Sequence, residues 1–327
     1  MSVNRLVKIV LVIALIVGLH VFFTTGAVNF YFVRILMLCC FGVMLAVSLN
    51  IINGYAGQFS IGHAGFYAIG AYASATFSVY GASALGLSLD GASGVLVLLL
   101  AIAVGALASG FAGYLVGLPT LRLRGDYLAI ATLGFGEVIR VMLINIEAVG
   151  GSRGFSGIPI LSSYFWILFF TVGIVWLSRN LLNSRQGRAM HAVRDDETAA
   201  SVLGIDVTKS KVMAFALSSS LAGVAGALFA HYDGFLLPSQ FDFFRSIEII
   251  IMVVLGGLGS TTGAIIAAVF LTILPESLRG FSDYRMLVYS FLLILTMLVR
   301  PQGLLGTREF SLAMLRSLRK GGQRGAA

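Results

Sequence analysis

Apolar runs long enough to cross a lipid bilayer recur along almost the whole of this chain, and they decide what it can become. A helical span needs about 20 mostly apolar residues. Segments 7–23, 30–52, 61–80, 93–118, 126–147, 162–178, 212–232, 243–256, 262–275 and 286–299 are the candidates. Charge is too sparse for a soluble alternative: 11% of the 327 residues are Asp, Glu, Lys or Arg, where about 25% is usual. So few charges cannot solvate the surface of a globule of this size. The same composition excludes disorder, collagen and coiled coil. The expected fold is an all-α, polytopic integral membrane protein of about ten transmembrane helices. The eighth and ninth runs are short and flank Gly256-Gly257-Leu258-Gly259-Ser260. They read either as two spans or as one helix broken around residues 256–262.

The basic residues orient the spans. Cytoplasmic loops carry an excess of Lys and Arg. With both termini inside, 16 of the 22 Lys and Arg residues fall on the inner side. They are Arg5 and Lys8, Arg122 and Arg124, six in the 179–211 loop, and six from Arg300 onward. Arg34, Arg153, Arg245, Arg279 and Arg285 fall outside. A transmembrane domain over 1–305 and a basic cytoplasmic tail over 306–327 follow. The net charge of +8 is therefore a membrane-topology signal facing anionic lipid, and no nucleic-acid partner is expected. Residues 7–23 follow a basic start, as in a signal peptide, but Thr25-Gly26-Ala27 is a poor processing site. Retention of this segment is the expectation. Cys39 and Cys40 are neighbours in an apolar run, which suits helix packing and gives no metal spacing.

Helices in lipid associate by close backbone approach at small residues. Ala101, Gly105, Ser109, Gly113 and Gly117 recur every four residues. Gly62, Ala64, Ala68, Gly70 and Ala75 do similar work in the third run, and Ala222, Gly226 and Ala230 in the seventh. These are expected packing seams.

Ionisable groups at membrane depth cost about 2.5–3.5 kcal/mol on insertion scales and are functional candidates by default. Glu137 and Arg140, three residues apart, share a helix face. They are either an internal ion pair that fixes packing, or Glu137 faces a translocation pathway. Glu248 caps or snorkels near the outer start of its span, or joins the same pathway. Asn50, Asn53, Gln58, Ser60 and His63 interrupt two apolar runs, among Gly54, Gly57 and Gly62. Irregular backbone at membrane depth survives only when buried in protein or lining a cavity. The stretch is therefore an ordinary inner loop or a membrane-entering pathway segment.

Catalytic motifs are absent. None of the four lysines, Lys8, Lys209, Lys211 and Lys320, sits in a Gly-x4-Gly-Lys-Ser/Thr phosphate loop. No His-Glu-x-x-His occurs. The chain reads as no enzyme, with no metal site and no cofactor bound directly. Its longest polar stretch, 179–211, has Ala189, Met190, Ala192, Val193, Ala199, Ala200 and Leu203 at helical spacing. That predicts an amphipathic helix or helix pair, capped at Asp195 or Asp196 and ended at Gly204.

In that loop, Glu197-Thr198-Ala199-Ala200 followed by Gly204 resembles the Glu-Ala-Ala…Gly loop of bacterial ABC-importer permeases. Asn53-Gly54-Tyr55-Ala56-Gly57-Gln58 with Ser60-Ile61-Gly62-His63-Ala64-Gly65-Phe66 resembles the branched-chain amino-acid permease family. So do Leu121 to Ala129 with Gly134-Phe135-Gly136-Glu137, and Gly150-Gly151 through Gly154 to Pro159. Gly256 to Ser260 and Arg300-Pro301-Gln302-Gly303-Leu304 match as well. The resemblance runs from about residue 40 to 305. It implies a membrane permease subunit of the bacterial inner membrane, working with a second homologous permease, two cytoplasmic ATPases and a periplasmic binding protein. ATP and Mg would reside in the ATPases. It also implies that Glu197, Ala199, Ala200 and Gly204 belong to a coupling loop, and that Gly256, Gly257 and Gly259 form a flexible segment. Substrates implied by relatives are leucine, isoleucine and valine, or other neutral amino acids, urea and short amides. The rival reading is a proton-coupled secondary transporter with Glu137, Glu248 and His63 as relay groups.

Overall fold

The computed structural model describes residues 29–278 apart from 85, 90 and 121–124, with 17–20, 23, 290, 291, 294, 298 and 303. Most of the 7–23 and 286–299 runs, both termini, Arg122, Arg124 and the basic tail lie outside the described residues.

Each apolar run between residues 30 and 275 is helical. Helix α1 spans Phe30–Asn50 and continues as a π turn, Ile51–Tyr55. Helix α2 spans His63–Thr76, with a second π turn at Phe77–Gly81, and α3 spans Gly91–Thr120. Helices α4 (Asp126–Asn145) and α5 (Tyr164–Asn183) follow. The polar loop forms α6 (Arg185–Asp195) and α7 (Glu197–Val202). Helix α8 covers Val207–Asp233, and α9 (Phe243–Gly256) and α10 (Thr261–Ser277) close the described chain. No strand occurs among the described residues, only an isolated bridge between Phe155 and Leu236. Among the described residues, five helices are long and apolar enough to cross a membrane: α1 with its π turn, α3, α4, α5 and α8.

Polar caps set where these helices start. Asn29, Ser184, Asp196, Asp206, Asp242 and Ser260 each accept a backbone N–H from the first turn that follows, satisfying donors that have no helical partner. Glycines with positive φ mark the stops, Gly234 after α8 (φ 72°) and Gly257 after α9 (φ 106°).

The small-residue seams meet where expected. Ala101, Gly105, Ser109, Gly113 and Gly117 are all buried along α3. A Cβ on Gly70 would strike the Gly223 backbone, one on Gly105 the Gly70 carbonyl, and one on Gly226 the Tyr67 carbonyl. Helices α2, α3 and α8 therefore touch backbone to backbone. The Ser109 hydroxyl proton is shared between the carbonyls of Phe66 (2.9 Å) on α2 and Ser219 (2.6 Å) on α8. Helix α1 runs beside this trio and is buried over most of its length, with Phe41, Met44, Leu45 and Leu49 wholly enclosed. Cys39 and Cys40 are buried in it as free thiols.

Helices α9 and α10 pack on each other. A Cβ on Gly256 would meet the backbone of Gly263 and Ala264, so the chain folds back at the glycines as a helical hairpin. Thr272 and Met252 both approach Gly42 of α1, which sets both arms of the hairpin against that helix. At about 1.5 Å per residue the two arms are roughly 21 and 26 Å long, short of a 30 Å hydrocarbon core.

Candidate functional site

The connections following α1, α6 and α9 converge. After Tyr55 the chain leaves helical geometry and returns alongside α1 before α2 begins at His63. His63 Nε2 lies 2.8 Å from Ser48 Oγ, whose own proton goes to the Leu45 carbonyl. The serine therefore accepts, and His63 Nε2 carries the hydrogen. Ser48 precedes Gly54 by six residues, so α2 begins roughly 9 Å up α1 from that turn. The stretch is irregular backbone buried against the surrounding helices.

Side chains hold the segment. The Asn53 amide spans it, its Oδ1 accepting from Ser60 N (3.1 Å) and its Nδ2 donating to Ser60 O (3.4 Å). Ile61 N donates to Thr132 Oγ1 on α4 (3.0 Å), and Ala64 N to Ser246 Oγ on α9 (3.1 Å). Asn50, Asn53, Gln58, Ser60 and His63 are all buried. Asn50 Nδ2, Gln58 Oε1, Ser60 Oγ and His63 Nδ1 have no hydrogen-bond partner among the described residues. Polar atoms buried in this way are costly and uncommon.

The glycine turn after α9 joins this segment. Asn50 Oδ1 accepts from Gly259 N (2.9 Å), and the Tyr55 hydroxyl lies 2.6 Å from Thr261 Oγ1 and 3.2 Å from Ser178 Oγ on α5. Gly259 is thus tied to the end of α1, whereas Gly256 packs on Gly263 and Ala264; φ is positive at Gly257 and Gly259.

The polar loop reaches the same place. Helix α6 buries Gly187, Met190 and Val193. Arg194 shares the Met190 face, and its Nη1 donates to the Gly54 carbonyl (2.6 Å). Asp196 then caps α7 by accepting from Thr198 N (2.8 Å) and Ala199 N (3.0 Å). Glu197 pairs with Lys211, which is buried near the start of α8. Ala200 is buried and Ala199 exposed. Val202 and Leu203 are 82% and 79% exposed, just before Gly204 at φ 80°. The pair α6–α7 therefore ends in an apolar, exposed tip. His191, on α6, holds its imidazole below the usual histidine pKa, first because burial disfavours the cation and then because Arg194 lies near.

The other ionisable candidates stand apart as two i,i+3 pairs. Arg140 Nε binds Glu137 Oε2 (2.8 Å), with the side chains 30% and 36% exposed. Arg245 Nη1 binds Glu248 Oε2 (2.6 Å). Helix α4 nevertheless touches the segment, since Gly62 packs on Thr132 and on Gly136, the residue before Glu137. Among the described residues no group of three His, Cys, Asp or Glu side chains is placed to hold a metal. Sequence reasoning passed over Arg194, Tyr55, Ser48, Ser246, Thr132 and Thr261. Two of these carried a signal: Tyr55 as a member of the Asn53–Gln58 motif, and Arg194 as a charge four residues beyond Met190 on the apolar face of its helix.

The family described as "Branched-chain amino acid transport system / permease component" matches residues 31–298. The chain belongs to this family of permease components. Among its relatives is the high-affinity branched-chain amino acid transport system permease protein LivM of Salmonella typhimurium. It is 36% identical, with 86% of this chain and 71% of the relative covered. LivM of Escherichia coli is 35% identical over the same shares. The permease protein LivH of Escherichia coli is 29% identical, with 81% of this chain and 91% of the relative covered. No solved structure matches. The match spans every convergence described above: the 50–63 segment, the α6–α7 pair and the glycine turn.

Proposed function

We propose that this chain is the membrane permease subunit of an ABC importer that takes up leucine, isoleucine, valine or related neutral amino acids by alternating access. The observation that carries the reading is the family match across residues 31–298 together with the exposed tip of α7. That tip suits docking to a soluble partner, since Val202 and Leu203 have no buried role in the chain itself. The chain has no phosphate-binding loop, so the energy would come from two cytoplasmic ATPases that hold ATP and Mg. A second homologous permease and a periplasmic binding protein complete the proposed assembly. Similarity to both LivM and LivH supports a pair of related permeases.

The proposed topology has ten spans in the bacterial inner membrane, with both termini and the 179–211 loop cytoplasmic. The contacts of the connections support it. The 51–62, 184–206 and 256–260 connections meet one another. The 146–163 and 234–242 connections form a second group, through the Phe155–Leu236 bridge, and Ser162 N donates to the His231 carbonyl in the last turn of α8. The orphaned polar atoms of Asn50, Gln58, Ser60 and His63 fit a pathway lining better than a dry core. The half-exposed Glu137–Arg140 pair, near the middle of α4, is costly against lipid. It suits a face turned to the pathway or to the second permease. Glu137 and Glu248 are each engaged by an arginine, which disfavours a proton relay.

Purifying the chain from its native membrane in mild detergent tests the proposal. Co-purification of two ATPase chains and a second permease is the expected result. A chain that emerges alone and transports in vesicles without ATP overturns it.

A further inference from the structure

We propose that Arg194 is the positioning residue through which movement of the α6–α7 pair reaches the two joined turns at 54–57 and 257–261; the inference rests on the importer reading above.

Three observations converge on this side chain. Its Nη1 donates to the Gly54 carbonyl, 140 residues away (2.6 Å). The π turn ends at Tyr55, so this carbonyl belongs to the last turn, where helices leave acceptors without a backbone donor. The side chain also lies across Gly57, where an added Cβ would come within 2.7 Å of Arg194 Cγ. On its far side is Gly259, whose Cβ would stand 2.8 Å from Nη1. The side chain therefore runs between two glycines from separate turns, its stem against Gly57 and its guanidinium against Gly259, with no room for a Cβ at either.

The two turns are themselves joined, by Asn50 Oδ1 to Gly259 N (2.9 Å) and by the Tyr55 hydroxyl to Thr261 (2.6 Å). They therefore move as one body. Arg194 stands in the last turn of α6, two residues before the Asp196 cap from which α7 starts toward its exposed tip. Among the described residues it is the charged group that binds the loop to that body. A charge-assisted bond to a backbone carbonyl is directional and strong, and it transmits displacement where apolar contacts would slide. A lysine would offer a point charge without the planar fork.

The whole transporter provides the test: this chain with the second permease, both ATPases and the binding protein, reconstituted in vesicles. Leucine uptake and ATP hydrolysis are measured together for wild type, Arg194→Ala and Arg194→Lys. Both variant complexes should assemble and hydrolyse ATP. Uptake per ATP should fall on the order of tenfold in Arg194→Ala, the effect of losing one charged hydrogen bond, and less in Arg194→Lys. A wild-type ratio in Arg194→Ala overturns the proposal. Failure of both variants to assemble also overturns it, since Arg194 would then act in docking or folding. Wild-type vesicles that transport without ATP would remove the importer reading itself, a failure visible before any variant is examined.

Discussion

Gly70 and Gly223 meet backbone to backbone, and a Cβ on Gly70 would collide with the Cα, carbonyl carbon and oxygen of its partner. No flexible side chain is available to yield there. Gly70→Val should therefore separate α2 from α8 and lower the yield of monodisperse chain in detergent by more than half. Gly134→Ala is the control, because nothing lies within 4 Å of its added methyl. Alanine in place of a helical glycine should leave stability unchanged or raise it by about 0.5–1 kcal/mol. Thermal unfolding followed by size-exclusion chromatography reads both.

Gly204 ends the α7 tip at φ 80° with open space around it. Gly204→Asp should leave the chain inserted, since the backbone cost is about 1–2 kcal/mol. It should abolish uptake by placing a charge beside Val202 and Leu203. Uptake in cells, compared with the membrane content of the variant, checks this. Normal transport by Gly204→Asp would count against a docking role for the tip.

Glu137 and Arg140 should depend on each other. Removing one partner strands a charge at membrane depth, which is costlier than removing both. Glu137→Gln and Arg140→Gln should each reduce uptake, and the double variant should recover part of it. A double variant no better than either single one would show that the ion pair is not what these residues contribute.

His191 sets a pH dependence in the α6–α7 pair. Burial, reinforced by Arg194, lowers its pKa in the folded chain, so the unfolded chain binds the proton more readily. Its contribution is complete above the ordinary histidine pKa of about 6.5 and is lost as pH falls below that toward the folded value. Wild type should therefore lose more thermal stability than His191→Gln between pH 7.5 and 5.5. Parallel melting curves for the two would contradict the assignment.

Much of this protein could be read from local pattern. Runs of apolar residues marked every helix from α1 to α10 except α6 and α7, because a span must satisfy its own backbone and face lipid or apolar neighbours. The four-residue repeat from Ala101 to Gly117 marked the seam, because small residues alone permit close approach in lipid. The cap at Asp196 and the stop at Gly204 were legible for the same reason: they depend on residues within a turn of one another.

What the tertiary structure decided is how distant segments join. Nothing local says that Asn50 accepts from Gly259, that Arg194 reaches Gly54, or that α9 and α10 fold into a hairpin on Gly256 and Gly263. Nor does it say that the 50–63 stretch climbs beside α1, or that Glu197 is engaged by Lys211. Helical periodicity records which face of a helix is apolar, whereas a partner 140 or 209 residues away is chosen only when the helices pack.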